Sequence, residues 1–180
     1  MMKPIPHFLI LILLALTISC VSCSRTVAQS ALKDPPEKEL AVLELGVAPS
    51  WSVKDGTPSV GPTIAAEVTP IEHWLEVEAG VTPLFAAHST EWDTDLLFKK
   101  PWTLSRKAEF MCGLGPEWIR RRENGVTTNS AGAEAALDFM FWPARKHKFG
   151  WYLEPAYDYD FGRGHEQSVG ISGGLLISIP

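Results

Sequence analysis

Acidic residues recur at every second position in several segments of this 180-residue chain. Glu76 and Glu78, for example, flank Val77. Carboxylates on one face of a strand could bind a cation or line a narrow ionic path, if neighbouring strands bring them together. The predicted cluster comprises Glu76, Glu78, Asp93, Asp95, Glu109, Glu134, Asp138, Glu154 and Asp158, with Glu44, Glu67, Glu117 and Asp160 on the same face. Because few basic residues share that face, protonation, water or bound cations must offset the charge. We favour a hydrated polar interior over a dedicated cation site.

A second candidate is the group His165, Glu166 and Ser168. Serine, histidine and a carboxylate form a nucleophilic triad only when the histidine lies within hydrogen-bond reach of the serine. Here the strand pattern points Ser168 inward and leaves His165 in a turn. We therefore interpret this group as a polar loop leading into a strand, and we predict no catalytic residue.

The acidic positions belong to segments with a period of two, which is typical of β-strands with two different faces. Phe149–Phe161 alternates aromatic or apolar residues with small or acidic ones over thirteen positions, more than the roughly 9–11 that a tilted strand needs to cross a bilayer. The predicted strands cover residues 40–53, 59–69, 74–85, 91–98, 108–121, 131–142, 149–161 and 166–179. Lys99–Lys107 is predicted as a basic turn, and Arg121–Ser130, which contains an Asn-Gly pair, as the longest loop.

Three features predict that the apolar face meets lipid and the polar face fills the interior. The apolar face is too bulky for the inside of an eight-stranded barrel, which side chains only just fill. Lysines fall in predicted turns or at strand ends rather than within strands. Aromatic residues gather near both ends of the strands, as in the girdles of membrane barrels: Trp51, Trp92, Trp118, Trp142, Trp151, Tyr157 and Tyr159. The sequence therefore predicts an all-β, eight-stranded, antiparallel, up-and-down transmembrane β-barrel.

The N-terminus has the features of a secretory signal, with an apolar stretch at Phe8–Ile18 followed by small residues. We predict a signal peptide at residues 1–30, a polar lead-in at 31–39 and the barrel at 40–180. Whether Cys20 or Cys23 is a lipoprotein cysteine stays open. Removing Lys3 and Arg25 from the 16 basic residues leaves 14 against 21 acidic residues, so the remaining chain carries a net charge of about −7. This charge gives no indication of nucleic-acid binding.

The chain resembles the small outer-membrane β-barrel proteins of Gram-negative bacteria, and within them an uncharacterised family. The resemblance lies in EVTPIEHWLEVEAGVTPLF, STEWDTDLLFKKPWTLS and ALDFMFWPARKHKFGWYLEPAYDYDFGRGHEQSVGISGGLL, and spans most of the chain after the signal. It implies the fold and an outer-membrane location, but no activity. As partners we expect outer-membrane lipid, lipopolysaccharide and, during biogenesis, the barrel-assembly machinery.

We expect a monomeric, non-catalytic barrel that is structural or interacts with lipid, without cofactor or metal. Its arginines at one strand end, Arg120, Arg121 and Arg122, could contact lipopolysaccharide phosphates in bidentate fashion. Three alternatives remain open at this point. They are a narrow cation-binding or conducting pore through an acidic lumen, a lipid A-modifying enzyme, and a soluble periplasmic lipocalin-like barrel.

Overall fold

Eight antiparallel strands close into a barrel in which each strand pairs with the next and β8 returns to β1. The computed structural model describes residues 41–144, 148–162 and 164–179. The strands are β1 (Ala41–Ser52), β2 (Pro58–Ile71), β3 (Leu75–Phe85), β4 (Ser89–Ser105), β5 (Ala108–Glu123), β6 (Val126–Phe141), β7 (Phe149–Asp160) and β8 (Gln167–Ile179). The predicted fold class is thus confirmed. The predicted signal peptide and lead-in lie outside the described residues.

Within those three ranges, no helix is long and apolar enough to cross a membrane.

The pairing of β1 with β8 places the first and last strands side by side. Ala41 is opposite Ile179, so the chain enters and leaves the barrel at one end, which we call the terminal end. The opposite end, which we call the loop end, carries the connections at residues 53–57, 86–88, 124–125 and 161–166. All four are short, and none provides a separate domain.

The first connection at the loop end is stabilised by a side-chain hydrogen bond. The backbone N–H of Thr57 donates to Asp55 Oδ1 at 3.0 Å, and Gly56 adopts the left-handed φ of 71° that the turn requires. This bond from the Thr57 backbone favours the ionised carboxyl and lowers the pKa of Asp55.

The prediction that Arg121–Ser130 forms the longest loop is wrong. Only Asn124 and Gly125 separate β5 from β6, with φ values of 49° and 81°. Two consecutive left-handed residues form the tight hairpin turn that Asn-Gly favours, because its twist matches that of the strands. The polar residues on either side of the turn extend the hairpin instead of forming a loop.

The predicted basic turn at Lys99–Lys107 is also wrong. The fourth strand, predicted to end near Phe98, continues to Ser105, and only Arg106 and Lys107 lie between β4 and β5. The period of two continues into the segment, since Lys99 and Pro101 are buried while Lys100 and Trp102 are more exposed. A lysine and a proline are unusual in a strand, and they obscured the pattern.

The outer surface of the barrel is apolar. Large exposed side chains include Val47, Ile64, Phe98, Leu114, Leu153 and Leu175. A water-exposed protein rarely presents a continuous apolar surface of this extent, whereas a membrane barrel requires one. The alternation thus places its apolar face outside, which excludes the apolar interior of a lipocalin-like barrel.

At the terminal end the interior is filled by a compact apolar group, which we call the terminal plug. It consists of Val42, Met111, Met140, Trp142, Tyr152 and Leu176, none more than 9% exposed. Trp142 was predicted to lie in the aromatic girdle, but it is only 3% exposed and points into this plug. Its strand ends at Phe141, and its backbone N–H then donates to the Lys107 carbonyl at 2.8 Å, which holds the residue against the barrel opening.

Variants that retain a single tryptophan should distinguish the plug from the girdle. Trp151 stacks on Phe141 on the outer surface, with ring centroids 4.1 Å apart, whereas Trp142 is enclosed. In vesicles that contain brominated lipid, we expect most of the Trp151 emission to be quenched and the Trp142 emission to be nearly unchanged. Equal quenching of the two residues would show that Trp142 faces lipid after all.

Candidate functional site

The lumen contains the acidic cluster that the sequence pattern identified. Four of its members, Glu76, Glu78, Asp138 and Glu154, are at most 8% exposed. Others line an internal cavity of about 70 Å³: Asp93, Asp95, Glu134 and Asp158. Glu109 is half-buried in β5, two residues before the plug residue Met111. Glu44, Glu67 and Glu117, which share the face, are buried as well.

Lys99 lies at the centre of the more deeply buried carboxylates. Its ammonium nitrogen is 2.5 Å from Glu78 Oε2, 2.6 Å from Glu154 Oε2 and 3.2 Å from Asp138 Oδ2. Glu67 Oε2 follows at 3.9 Å, and the Lys99 side chain has no solvent exposure. Charge-assisted bonds to three carboxylates use all three ammonium donors. Lys99 is therefore the counter-ion of the carboxylates that surround it. We call Lys99 and these carboxylates the lysine cluster.

The sequence pattern indicates Lys99 only as one of a few basic partners near the strand ends, beside Arg121 and Lys107, because Lys99 is predicted to begin a turn; its central position was missed. The available signal was its position within the period of two, since Leu97, Lys99 and Pro101 continue the inward face of β4. A lysine on the acidic face of a predicted membrane strand is a candidate counter-ion. Such a residue would otherwise be an unpaired charge at high cost.

One ammonium group does not neutralise all the carboxylates around it. Glu44 Oε1, Glu67 Oε2 and Asp138 Oδ1 are buried without a hydrogen-bond partner in the described part of the chain. Buried carboxylates in this state are costly unless protons or water satisfy them. The lysine cluster is thus consistent with a hydrated polar interior in which some carboxyls carry protons.

Glycines make room for the large polar side chains in the lumen. A Cβ atom at Gly113, which pairs with Lys99 across the β4–β5 interface, would lie 2.9 Å from Lys99 Cγ. A Cβ atom at Gly80, which pairs with Asp95, would lie 2.7 Å from its Oδ1. Alternation of small and large residues is how narrow barrels fill their interior, and here it positions the charged groups.

A second acidic group lies nearer the loop end. Glu117, Glu134 and Asp158 each offer an oxygen, and these oxygens lie within 4.8 Å of one another. The strand register sets this arrangement, because Glu134 is directly opposite Asp158 and Asp95 is directly opposite Glu117. Like charges in directly opposed positions destabilise a sheet. We call Glu117, Glu134 and Asp158 the outer triad.

The outer triad stands between two cavities. The internal cavity of about 70 Å³ contacts all three of its residues. A vestibule of about 290 Å³, lined by loop-end residues such as Lys54 and Asp55, contacts Glu117 and Asp158. The two cavities also share Ser50, Leu84 and Asp93 in their linings. The outer triad can therefore be approached from the loop end of the barrel.

Arg121 lies at the rim of the vestibule. Its side chain is on the inward face of β5, whereas those of its two neighbours are on the outward face. Its guanidinium donates to Glu91 of β4 and to Glu166, which precedes β8. Arg120 and Arg122 are exposed. Of the three arginines proposed to contact lipopolysaccharide, Arg121 thus has carboxylate partners within the protein already.

The structure separates the residues of the suspected catalytic group. The Ser168 hydroxyl donates to Asp158 Oδ2 at 2.7 Å inside the barrel. His165 Nδ1 lies 3.3 Å from the Tyr159 hydroxyl, and the ring of that tyrosine also contacts Phe161. Serine and histidine thus have different partners, and the geometry offers no activated nucleophile.

The remaining aromatic residues predicted for the girdles lie outside the lumen. Trp51, Trp92 and Trp118 are exposed toward the loop end, Trp151 is exposed toward the terminal end, and Tyr157 and Tyr159 are half-buried on the same outer surface. Trp102 stacks on Phe110 near the terminal end, with ring centroids 5.6 Å apart. Aromatic rings thus lie near both ends of the apolar surface, where the interfaces of a membrane would fall.

The chain has the fold of the small, eight-stranded outer-membrane β-barrels. Neisserial surface protein A is 12% identical with a TM-score of 0.62, over 77% of this chain and 96% of that one. The attachment invasion locus protein Ail of Yersinia pestis is 10% identical with a TM-score of 0.54, over 79% and 99%. The N-terminal β-barrel domain of Pseudomonas aeruginosa OprF is 8% identical with a TM-score of 0.55, over 78% and 98%. No protein-family model and no curated protein matches the sequence.

Proposed function

We propose that this protein is an integral outer-membrane barrel with short loops, which serves a structural or lipid-interacting role without catalysis. The observation that carries this proposal is the continuous apolar surface around a closed eight-stranded barrel. Such a surface is stable only in contact with lipid, and closure leaves no unpaired strand edge in the hydrocarbon. The terminal end then faces the periplasm and the loop end faces outward.

The packing of the lumen argues against a channel. The terminal plug fills the barrel at one end with side chains that are at most 9% exposed. On the loop-end side of the plug, Lys99 of β4 forms ion pairs with carboxylates of β3, β6 and β7, so the lysine cluster links four strands across the lumen. An ion would have to displace both layers to cross the barrel.

The first test concerns the membrane and the lumen together. We expect the full chain to be recovered in the outer-membrane fraction, to migrate differently on gels before and after boiling, and to give no single-channel conductance in planar bilayers at high salt. Recovery in the soluble periplasm would refute the membrane proposal. Resolved conductance steps would instead favour the conducting pore.

The exposed arginines near the loop end support a contact with lipopolysaccharide. Arg120 pairs with Trp92 across the β4–β5 interface, and Arg122 pairs with Thr90, so both arginines lie beside the aromatic girdle on the outer surface. Arginine binds phosphate groups through bidentate hydrogen bonds. This position is where the phosphates of outer-leaflet lipopolysaccharide would lie.

Replacement of both arginines by serine should weaken lipopolysaccharide binding by about tenfold, which corresponds to two weak exposed charge contacts of roughly 0.7 kcal/mol each. Binding of labelled lipopolysaccharide to the barrel in zwitterionic detergent would measure the change. Lys148→Ser is the matched control, because Lys148 is exposed at the terminal end. Unchanged binding by the double variant, or an equal loss in the control, would remove these arginines as the contact.

A further inference from the structure

We propose that the outer triad, Glu117, Glu134 and Asp158, is a binding site for a hard divalent cation such as Ca²⁺, reached through the vestibule. The proposal goes beyond a structural or lipid-interacting role, because it assigns a ligand to the interior of the barrel.

The spacing of the oxygens fits a shared cation. Calcium takes carboxylate oxygens at about 2.3–2.6 Å, so two of its ligand atoms can lie up to roughly 5 Å apart. The three oxygens of the outer triad lie within 4.8 Å of one another. Two of the carboxylates, Glu134 and Asp158, face each other directly across the β6–β7 interface. Small side-chain adjustments would bring all three to one ion.

Glu117 supplies an independent indication of a ligand. It is only 6% exposed, and its Oε2 atom is buried without a hydrogen-bond partner in the described part of the chain. This oxygen extends over Gly132 of β6, where an added Cβ atom would lie 2.9 Å away from it. It is thus directed toward the strand that also carries Glu134. A buried anionic oxygen without a donor requires an explanation, and a cation would provide one.

The lysine cluster is, by contrast, an acidic group that already contains a cationic side chain. Glu44, Glu67, Glu78 and Asp138 also bring four ligand atoms within 4.8 Å of one another. There the ammonium group of Lys99 already lies among them, so that position needs no metal. Among the described residues, no ion pair joins a lysine or arginine to any member of the outer triad.

The arginine on the inward face of the strand that carries Glu117 is already engaged elsewhere. Arg121 follows Glu117 on the inward face of β5, but its guanidinium pairs with Glu91 and Glu166. Asp93, whose Oδ1 atom is also buried without a partner, lines both cavities and adds a further acidic oxygen near the triad. The accumulated negative charge favours a divalent cation over a monovalent one. Its oxygen-only composition favours calcium or another hard cation over zinc.

The test is titration of CaCl₂ into the folded barrel in zwitterionic detergent, free of lipopolysaccharide, followed by isothermal calorimetry. We expect one saturable site with an affinity in the range of about 10⁻⁴ to 10⁻³ M, as for extracellular calcium modules. Glu117→Gln and Glu134→Gln should each weaken binding by about tenfold or more, because each removes one charged ligand. Glu72→Gln, in the exposed β2–β3 connection at the terminal end and outside both cavities, should bind like the unaltered protein.

A second readout guards against variants that misfold. In the presence of a chelator, Glu117→Gln should melt at or above the temperature of the unaltered barrel, since it removes a buried unpaired charge. In calcium the order should reverse, because only the unaltered barrel gains the bound ion. Absence of calcium heat, or equal calcium binding by all variants, would overturn the site. If the same protein still shifts on gels after boiling, that failure concerns the site and leaves the membrane barrel intact.

Discussion

Replacement of Lys99 by methionine should destabilise the folded barrel by about 3–5 kcal/mol, the cost of removing one partner from a buried ion pair. The lysine donates to Glu78, Asp138 and Glu154, and its side chain has no exposure to water. Methionine has a similar length and leaves no large cavity. The expected loss of stability is therefore caused by the carboxylates left unpaired and not by a change in packing.

Urea unfolding in lipid vesicles, followed by tryptophan fluorescence and by the gel shift on boiling, would measure this effect. Lys100→Met is the matched control, because Lys100 is the adjacent lysine on the opposite face. Its ammonium group makes an exposed hydrogen bond to the His73 carbonyl at 2.6 Å. The control should change stability by less than about 0.5 kcal/mol. Equal losses in the two variants would contradict the counter-ion role of Lys99.

The deficit of the Lys99→Met barrel should shrink as the pH falls. Protonated carboxyl groups carry no charge, so Glu78 and Asp138 no longer need the ammonium group once they bind protons. The variant should therefore gain more stability on acidification than the unaltered barrel, in which the ammonium group already offsets part of the negative charge. Unfolding curves at a series of pH values would reveal the smaller difference in acid. Parallel pH profiles for the two proteins would exclude an electrostatic origin of the deficit.

Most of the fold was predictable because membrane strands follow a simple physical rule. Lipid on one side and a narrow lumen on the other enforce a period of two, and the eight segments showed it clearly. The acidic lumen followed from the same alternation. The strand ends were less predictable, since the polar residues of the β5–β6 hairpin, Arg121–Glu123 and Thr127–Ser130, continue the ladder beyond the apolar surface.

The internal organisation of the lumen depended on three-dimensional register, which the sequence does not display. The pairs Glu134–Asp158 and Asp95–Glu117 result from the stagger of neighbouring strands, and no periodicity along one strand can predict them. Trp142 shows the same limitation. The alternation of inward and outward residues along β6 would place Trp142 on the inward face. Its aromatic character at a strand end, however, indicated the membrane interface.

The second large effect is expected at Gly115, where the chain cannot accept a side chain. A Cβ atom there would lie 1.8 Å from the Leu96 carbonyl oxygen and 2.9 Å from Leu97 Cα, so the backbone of β4 itself would have to move. We expect Gly115→Ala to cost about 3 kcal/mol, toward the upper end for overpacking, because a backbone atom cannot yield as a flexible side chain can.

Gly170→Ala is the control, since its Cβ atom would have no neighbour closer than 3.5 Å, an ordinary contact distance. We expect this variant to remain within about 0.5 kcal/mol of the unaltered barrel. Urea unfolding in vesicles would compare the two. If Gly115→Ala is as stable as Gly170→Ala, β4 and β5 can separate without penalty.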